Sequence, residues 1–149
     1  MGHPRVFTIG YEGADPDRFL ETLQNAGVAV LADVRAVALS RKRGFSKSAL
    51  RDSLAQRHIG YEHFIRLGTP KEGRQAARAG DAALMHRIYC DEVLATPEAG
   101  EAFEVLADMA RERPICLLCF ERDPAQCHRR ILSDRLSQQG MEVIDLMVV

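Results

Sequence analysis

The chain has 149 residues, 46% apolar and 28% charged, with a formal net charge of −1. That length holds one domain with a sizeable core, and the near-neutral balance excludes a global field directed at nucleic acid or membrane. No apolar run approaches the roughly 20 residues that cross a bilayer, and Met1-Gly2-His3-Pro4-Arg5 leads straight to a short strand without a secretory pattern. A cytoplasmic protein without a membrane partner is expected.

Apolar runs alternate with helical patterns, as a parallel α/β sheet requires. Val6 to Ile9 reads as the first strand. Asp15 and Pro16 form an N-cap and N1 pair for a helix with a Phe19, Leu20, Leu23 stripe, and Gly27 suits its C-terminal stop. Val28 to Val34 is a continuous apolar strand broken only by Asp33 near its end. A basic loop, Ser40 to Phe45, precedes a helix capped by Ser46, with Leu50 and Leu54 inward, and Tyr61 to Ile65 reads as a short strand. Gly68 to Gly80 has little apolar content and reads as a long surface loop. Asp81 opens a helix through Leu84, Met85 and Ile88, and Thr96-Pro97 opens another with Phe103, Leu106 and Met109 inward. Ile115 to Phe120 is the next strand. Asp123, Pro124 and Gln126 then suit the first turn of a last helix, which Gly140 closes before a strand at Glu142 to Leu146. The expected fold is a three-layer α/β domain spanning residues 1–149, with a mainly parallel sheet of about five strands.

In such a sheet the loops after the strands gather on one edge, where ligands bind. Three of them carry distinctive chemistry. Thr8-Ile9-Gly10-Tyr11-Glu12-Gly13 lacks a dinucleotide glycine pattern, so its glycines point to a tight turn. Asp33 and Arg35 either pair or both face a ligand. Cys119, Glu121, Cys127, His128 and Arg129 straddle the last strand–helix junction, where a helix N-terminus would lower a thiol pKa and bind an anion.

Four cysteines in a chain of this size read as thiols rather than a disulfide framework. A Cys119–Cys127 disulfide that cycles is the secondary reading. Cys116-x-x-Cys119 has the spacing of a metal ligand pair, but residues three apart on a strand face opposite ways; convergence of Cys119, Glu121 and Cys127 on an ion is left as a minority reading, and no metal site is assigned. Arg41, Lys42, Arg43 and Lys47 cluster in one basic loop and Lys71, Arg74 and Arg78 in another, either as a solvated face or as a positive rim for an anion.

Thr8-Ile9-Gly10-Tyr11, Asp33-Val34-Arg35, Ser40-Arg41, Phe45, Tyr61, Leu67-Gly68, Cys119-Phe120-Glu121 and Cys127-His128-Arg129 occur in that order over nearly the whole chain. In this the chain resembles the family called domain of unknown function 488. The resemblance implies a compact α/β domain of bacteria or archaea and supplies no reaction. Ala38 and Thr69 depart from it, where many relatives carry Pro and a second Gly, which touches the shape of those two loops.

The expectation is a strand-end pocket in a small enzyme that acts on an anionic, phosphate- or nucleotide-like substrate. Cys127, Glu121 and His128 are its candidate catalytic residues. Thr8, Gly10, Tyr11, Asp33, Arg35, Ser40, Arg41, Cys119 and Arg129 are its candidate ligand-binding residues, and no cofactor is called for. The alternative is a non-catalytic module that binds a nucleotide or nucleic acid. Oligomeric state is left open.

Overall fold

A computed structural model describes residues 4–149 of the chain. Five strands form one sheet: β1 (Arg5–Gly10), β2 (Val30–Asp33), β3 (Gly60–His63), β4 (Ile115–Cys119) and β5 (Glu142–Leu146). All pairings are parallel, in the spatial order β3-β2-β4-β1-β5. The helices are α1 (Pro16–Ala26), α2 (Lys47–Ala55), α3 (Lys71–Arg78), α4 (Ala82–Ile88), α5 (Pro97–Glu112) and α6 (Arg129–Gln138). No described helix is long and apolar enough to cross a membrane.

Strand side chains alternate between faces, and the core divides accordingly. Phe7, Ile9, Leu31, Cys116 and Leu118 pack against Phe19, Leu20 and Leu23 of α1 and Leu50 and Leu54 of α2. Val6, Val30, Ala32, Ile115 and Leu117 pack on the other face against Phe103, Leu106 and Ala107 of α5 and Leu132 and Leu136 of α6. The three innermost strands are buried along nearly their whole length, so they read as apolar runs rather than alternating ones. Each fully buried Phe or Leu contributes about 1.5–3 kcal/mol of transfer free energy.

Local sequence fixes the starts of α1, α4 and α5. The Asp15 carboxylate accepts from the Arg18 N–H at 3.1 Å, with Pro16 opening α1. Asp81 accepts from Leu84 N–H, and the Thr96 hydroxyl from Ala99 N–H with Pro97 behind it. Ser46 precedes α2 but makes no side-chain cap. Its hydroxyl accepts from Ser40 N–H at 3.0 Å and closes the basic loop instead.

Several sequence expectations change. The second strand is shorter than Val28 to Val34, and the third covers Gly60–His63, after which Ile65–Leu67 makes a single 3₁₀ turn. The expected loop from Gly68 to Gly80 contains α3. Its Lys, Glu, Arg, Gln and Ala residues are good helix formers, but only Gly73 and Ala76 turn inward, so no apolar stripe betrays it. Beyond α4 the chain continues as a π-helical turn, Tyr89–Leu94. Finally, Asp123 and Pro124 open a 3₁₀ turn, Pro124–Gln126, and α6 begins only at Arg129.

Candidate functional site

The loops after β1 and β2 lead to helices on one face of the sheet, while the loop after β4 leads to α6 on the other. β4 lies between β1 and β2, so their chains part at its carboxyl end and open a crevice, the usual ligand position in such sheets. Gly10 is in register with Cys119, and Asp33 with Leu118, which brings the three loops level. A cleft of about 620 Å³ results, within the range of roughly 300–1,000 Å³ typical of small-molecule sites. Tyr11, Glu12, Arg35, Ser40, Arg41, Cys119, Glu121, Cys127 and His128 contribute to its lining. A second cavity of about 510 Å³, between Leu94, Phe103, Arg135 and Gln139, lies at the other face of the fold and gathers no such chemistry.

Asp33 and Arg35 pair. Arg35 Nε donates to Asp33 Oδ1 at 2.9 Å and Arg35 Nη2 to Oδ2 at 2.7 Å, a two-pronged bond that suits a planar guanidinium. Asp33 also accepts from the Arg35 backbone N–H and, at 2.5 Å, from the Tyr61 hydroxyl. The remaining Arg35 Nη1 donates to the Phe45 carbonyl at 2.7 Å and to the Tyr11 hydroxyl at 3.4 Å. Burial works against the Arg35 charge, yet the bonds to Asp33 and Tyr11 outweigh it and hold its proton above the ordinary value. Tyr11 stacks on Phe45 at 4.7 Å and meets Phe120 edge-on at 5.3 Å. Arg35 therefore presents an edge to the cleft, while Asp33 stands behind it and is fully buried.

Tyr61 and Tyr89 are both pushed above the ordinary tyrosine value, first by burial and for Tyr61 also by its bond to Asp33. The folded chain thus keeps these protons to higher pH than the unfolded chain does. Their contribution is fully present below a pH of about 10 and is lost as pH rises beyond it. Urea midpoints measured from pH 8 to 11 are expected to fall above 10, and to fall less steeply for Tyr89→Phe.

The loop after β4 supplies the reactive groups. Cys119 and Cys127 form a disulfide, while Cys90 and Cys116 are free. This corrects the reading of four thiols: Cys127 lies in extended backbone between the 3₁₀ turn and α6, and returns its sulfur to the end of β4. The same geometry takes Cys127 out of the first turn of a helix and sets it just before α6, where the Arg129 backbone N–H donates to its sulfur at 3.5 Å. Cys116 belongs to the core on the α1 and α2 face.

His128 is buried beside the two sulfurs. Its Nε2 lies 2.7 Å from the Val34 carbonyl. A carbonyl only accepts, so Nε2 carries the proton and Nδ1 turns a lone pair to Cys119 Sγ at 3.5 Å and Cys127 Sγ at 3.9 Å. Burial pushes the imidazole pKa down to about 4, so it is neutral at pH 7. Glu121 Oε2 lies 3.4 Å from Cys119 Sγ, and burial raises its carboxyl above the ordinary range. Among the described residues, Cys119, Cys127 and His128 form the one group whose donor atoms gather at metal-binding spacing, all within 4.8 Å of one another.

Besides Asp33, three candidate ligand-binding residues stand behind the cleft wall. Arg129 is fully buried, and its Nη1 and Nη2 donate to the carbonyls of Glu121 and Arg122 at 2.6 and 3.2 Å. It anchors the loop rather than offering its guanidinium to an anion. Thr8 donates to Asp145 on β5 at 2.5 Å. Gly10 is a close-approach position: a Cβ there would lie 1.8 Å from the Glu121 carbonyl oxygen.

Several lining residues were not singled out from the sequence as site residues. Arg74 and Arg78 come from α3, joined by Glu12, Thr69, Met85 and Phe120. Arg74 Nη1 donates to the Thr69 carbonyl at 2.9 Å. Their signal was the second basic cluster, and what placed it on the cleft was the unforeseen helix. Among the described residues, Arg41, Arg74 and Arg78 enter no ion pair.

The family model described as Domain of unknown function DUF488 matches residues 15–136. The chain belongs to the DUF488 family. No curated protein and no solved structure matches it. The match spans the DUF488 chain from the N-cap of α1 to the last turn of α6, and so takes in the loops after β2 and β4 that build most of the cleft.

Proposed function

We propose that this DUF488 chain is a small enzyme whose strand-end cleft holds an anionic, phosphate- or nucleotide-like substrate. The observation that carries the reading is the rim: Arg41, Arg74 and Arg78 line one cleft without a carboxylate partner among the described residues. Arginine forks suit phosphate and carboxylate. Arg35 adds a guanidinium edge held in place by Asp33, and the exposed Phe120 ring, backed by the buried Tyr11, offers aromatic surface for a base or ring.

Glu121 is the proton donor in this reading. Its raised pKa keeps a larger protonated fraction near neutrality than an ordinary glutamate has, which suits a general acid. Cys127 and His128 stand beside it. Once the disulfide is reduced they supply a thiol and an imidazole acceptor for its proton. Ser40, whose hydroxyl accepts from Lys42 N–H at 3.0 Å, holds the Arg41 loop against the rim.

A thermal-shift panel of inorganic phosphate, AMP and other nucleoside monophosphates tests the reading. A bound ligand raises the melting temperature by mass action, by about 2.7 kcal/mol of stabilisation at 100 times Kd. At least one phosphate is expected to stabilise the wild type and to lose its effect in Arg41→Ala/Arg74→Ala/Arg78→Ala. A silent panel, or equal shifts in the triple variant, would remove the reading. A second reading is favoured by the basic residues continuing from Arg41, the half-buried Lys42 and the exposed Arg43 and Lys47: a non-catalytic nucleic-acid module. Its mark would be oligonucleotide binding that weakens steeply with salt and with Lys42→Ala/Arg43→Ala.

A further inference from the structure

We propose that Cys119, Cys127 and His128 form a redox-gated zinc site: the dithiol form binds one Zn²⁺ ion, and the disulfide form releases it. The proposal does not depend on the anionic substrate; zinc would occupy the Cys127 sulfur and His128 Nδ1, which only the metal-free dithiol form offers for proton transfer.

The distances carry it. A tetrahedral zinc with thiolate bonds near 2.3 Å and an imidazole bond near 2.0–2.1 Å sets sulfur and nitrogen about 3.6 Å apart. His128 Nδ1 lies 3.5 Å from Cys119 Sγ and 3.9 Å from Cys127 Sγ. Two sulfurs on one ion sit about 3.8 Å apart by the same geometry. The two cysteines, with Cα atoms 6.9 Å apart, reach this by a side-chain movement that leaves the backbone in place. Glu121 Oε2, 3.4 Å from Cys119 Sγ, lines the same cleft as the three donor residues.

The imidazole is already oriented as a ligand. A metal-bound histidine usually donates its other N–H to a carbonyl or carboxylate, which fixes the tautomer and aims the lone pair. Here His128 Nε2 donates to Val34 O at 2.7 Å, and the Tyr89 ring packs 4.9 Å from the imidazole. Cys119, Cys127 and His128 are all buried. Cys119 ends β4, and Cys127 and His128 are the two residues that lead into α6, so the site lies between a strand end and a helix start.

The exchange balances with a dithiol reductant. Its thiolate attacks one sulfur of the Cys119–Cys127 bond, and its second thiol completes the transfer of two electrons and two protons. The products are two cysteine thiols and the reductant's own disulfide. Zinc then binds both sulfurs as thiolates and displaces their two protons to solvent. Oxidation by a small disulfide runs the sequence backwards, forms the Cys119–Cys127 bond and frees the ion.

Cobalt(II) reports on the site because thiolate ligation gives an intense near-ultraviolet charge-transfer band. Protein reduced with a phosphine, desalted and titrated with Co²⁺ without oxygen is expected to show this band, saturating at one ion per chain and bleached by Zn²⁺. The oxidised protein should show none. Cys119→Ser and Cys127→Ser should each weaken binding by more than the roughly 10–100-fold that losing an outer partner costs, whereas Cys90→Ser should leave it unchanged. A folded, reduced wild type without the band, or a band that survives both Cys119→Ser and Cys127→Ser, would overturn the site. Should those variants not fold, the wild type decides alone. Diamide added to the zinc-loaded protein should release one zinc per disulfide formed, read with a chromophoric chelator, and disulfide formation that leaves zinc bound would overturn the gate.

Discussion

Arg35→Ala is expected to lower the unfolding free energy by about 3–5 kcal/mol, the range for breaking a buried ion pair from one side. The loss comes from what remains. Asp33 is fully buried at the end of β2, and without the guanidinium it keeps only one backbone N–H and the Tyr61 hydroxyl. The Phe45 carbonyl loses its donor as well, which loosens the turn that leads into α2. Urea denaturation at pH 7 reads the effect. Asp33→Leu/Arg35→Met should be less destabilised than the sum of its single variants, because removing both charges leaves no orphan. Arg35→Lys should recover only part of the loss, since an ammonium is a point charge and cannot match both carboxylate oxygens. A cost below about 1 kcal/mol for Arg35→Ala, typical of exposed pairs, would contradict the burial and geometry described above.

Gly10→Ala is expected to cost roughly 3 kcal/mol, the upper end of the range for overpacking. An added Cβ would meet not a flexible side chain but the Glu121 backbone, with the carbonyl oxygen at 1.8 Å and its carbon at 2.5 Å. One of the two chains must move. The Glu121 carbonyl is also where Arg129 Nη1 is tied, so displacement would free a buried guanidinium and shift the Glu121 side chain in the cleft. Ligand-induced stabilisation in the phosphate panel should therefore fall along with stability. Gly68→Ala makes a comparison away from Glu121: its Cβ would strike Ala36 backbone atoms at 2.2 and 2.3 Å. It should cost a similar amount while perturbing the β2 side of the cleft.

Strong local signals were legible in the sequence. Asp15-Pro16, Asp81 and Thr96-Pro97 announced three helices, and inner strands buried on both faces announced a parallel sheet. Asp33 and Arg35 stood out because a buried strand has no other use for two charges. What escaped the sequence depended on distance across the fold. α3 shows no apolar stripe because it buries little more than Gly73 and Ala76. The role of Arg129 is set by two carbonyls on a neighbouring loop, which no spacing rule reveals. The Cys119–Cys127 link needed the extended backbone at Cys127, whereas Asp123-Pro124 suggested an uninterrupted helix. The strand-parity argument that separates Cys116 from Cys119 is sound, yet it says nothing of Cys127 and His128 arriving from outside the strand.

The central claim is that the ligand site lies where the chains after β1, β2 and β4 part. Titrating ¹⁵N-labelled protein with AMP while following backbone amide shifts tests it most directly. The account predicts saturable shifts at Tyr11, Glu12, Ser40, Arg41 and Glu121, absent from the Arg41→Ala/Arg74→Ala/Arg78→Ala variant. Shifts gathered instead around Leu94, Phe103, Arg135 and Gln139, or none at millimolar AMP, would contradict it.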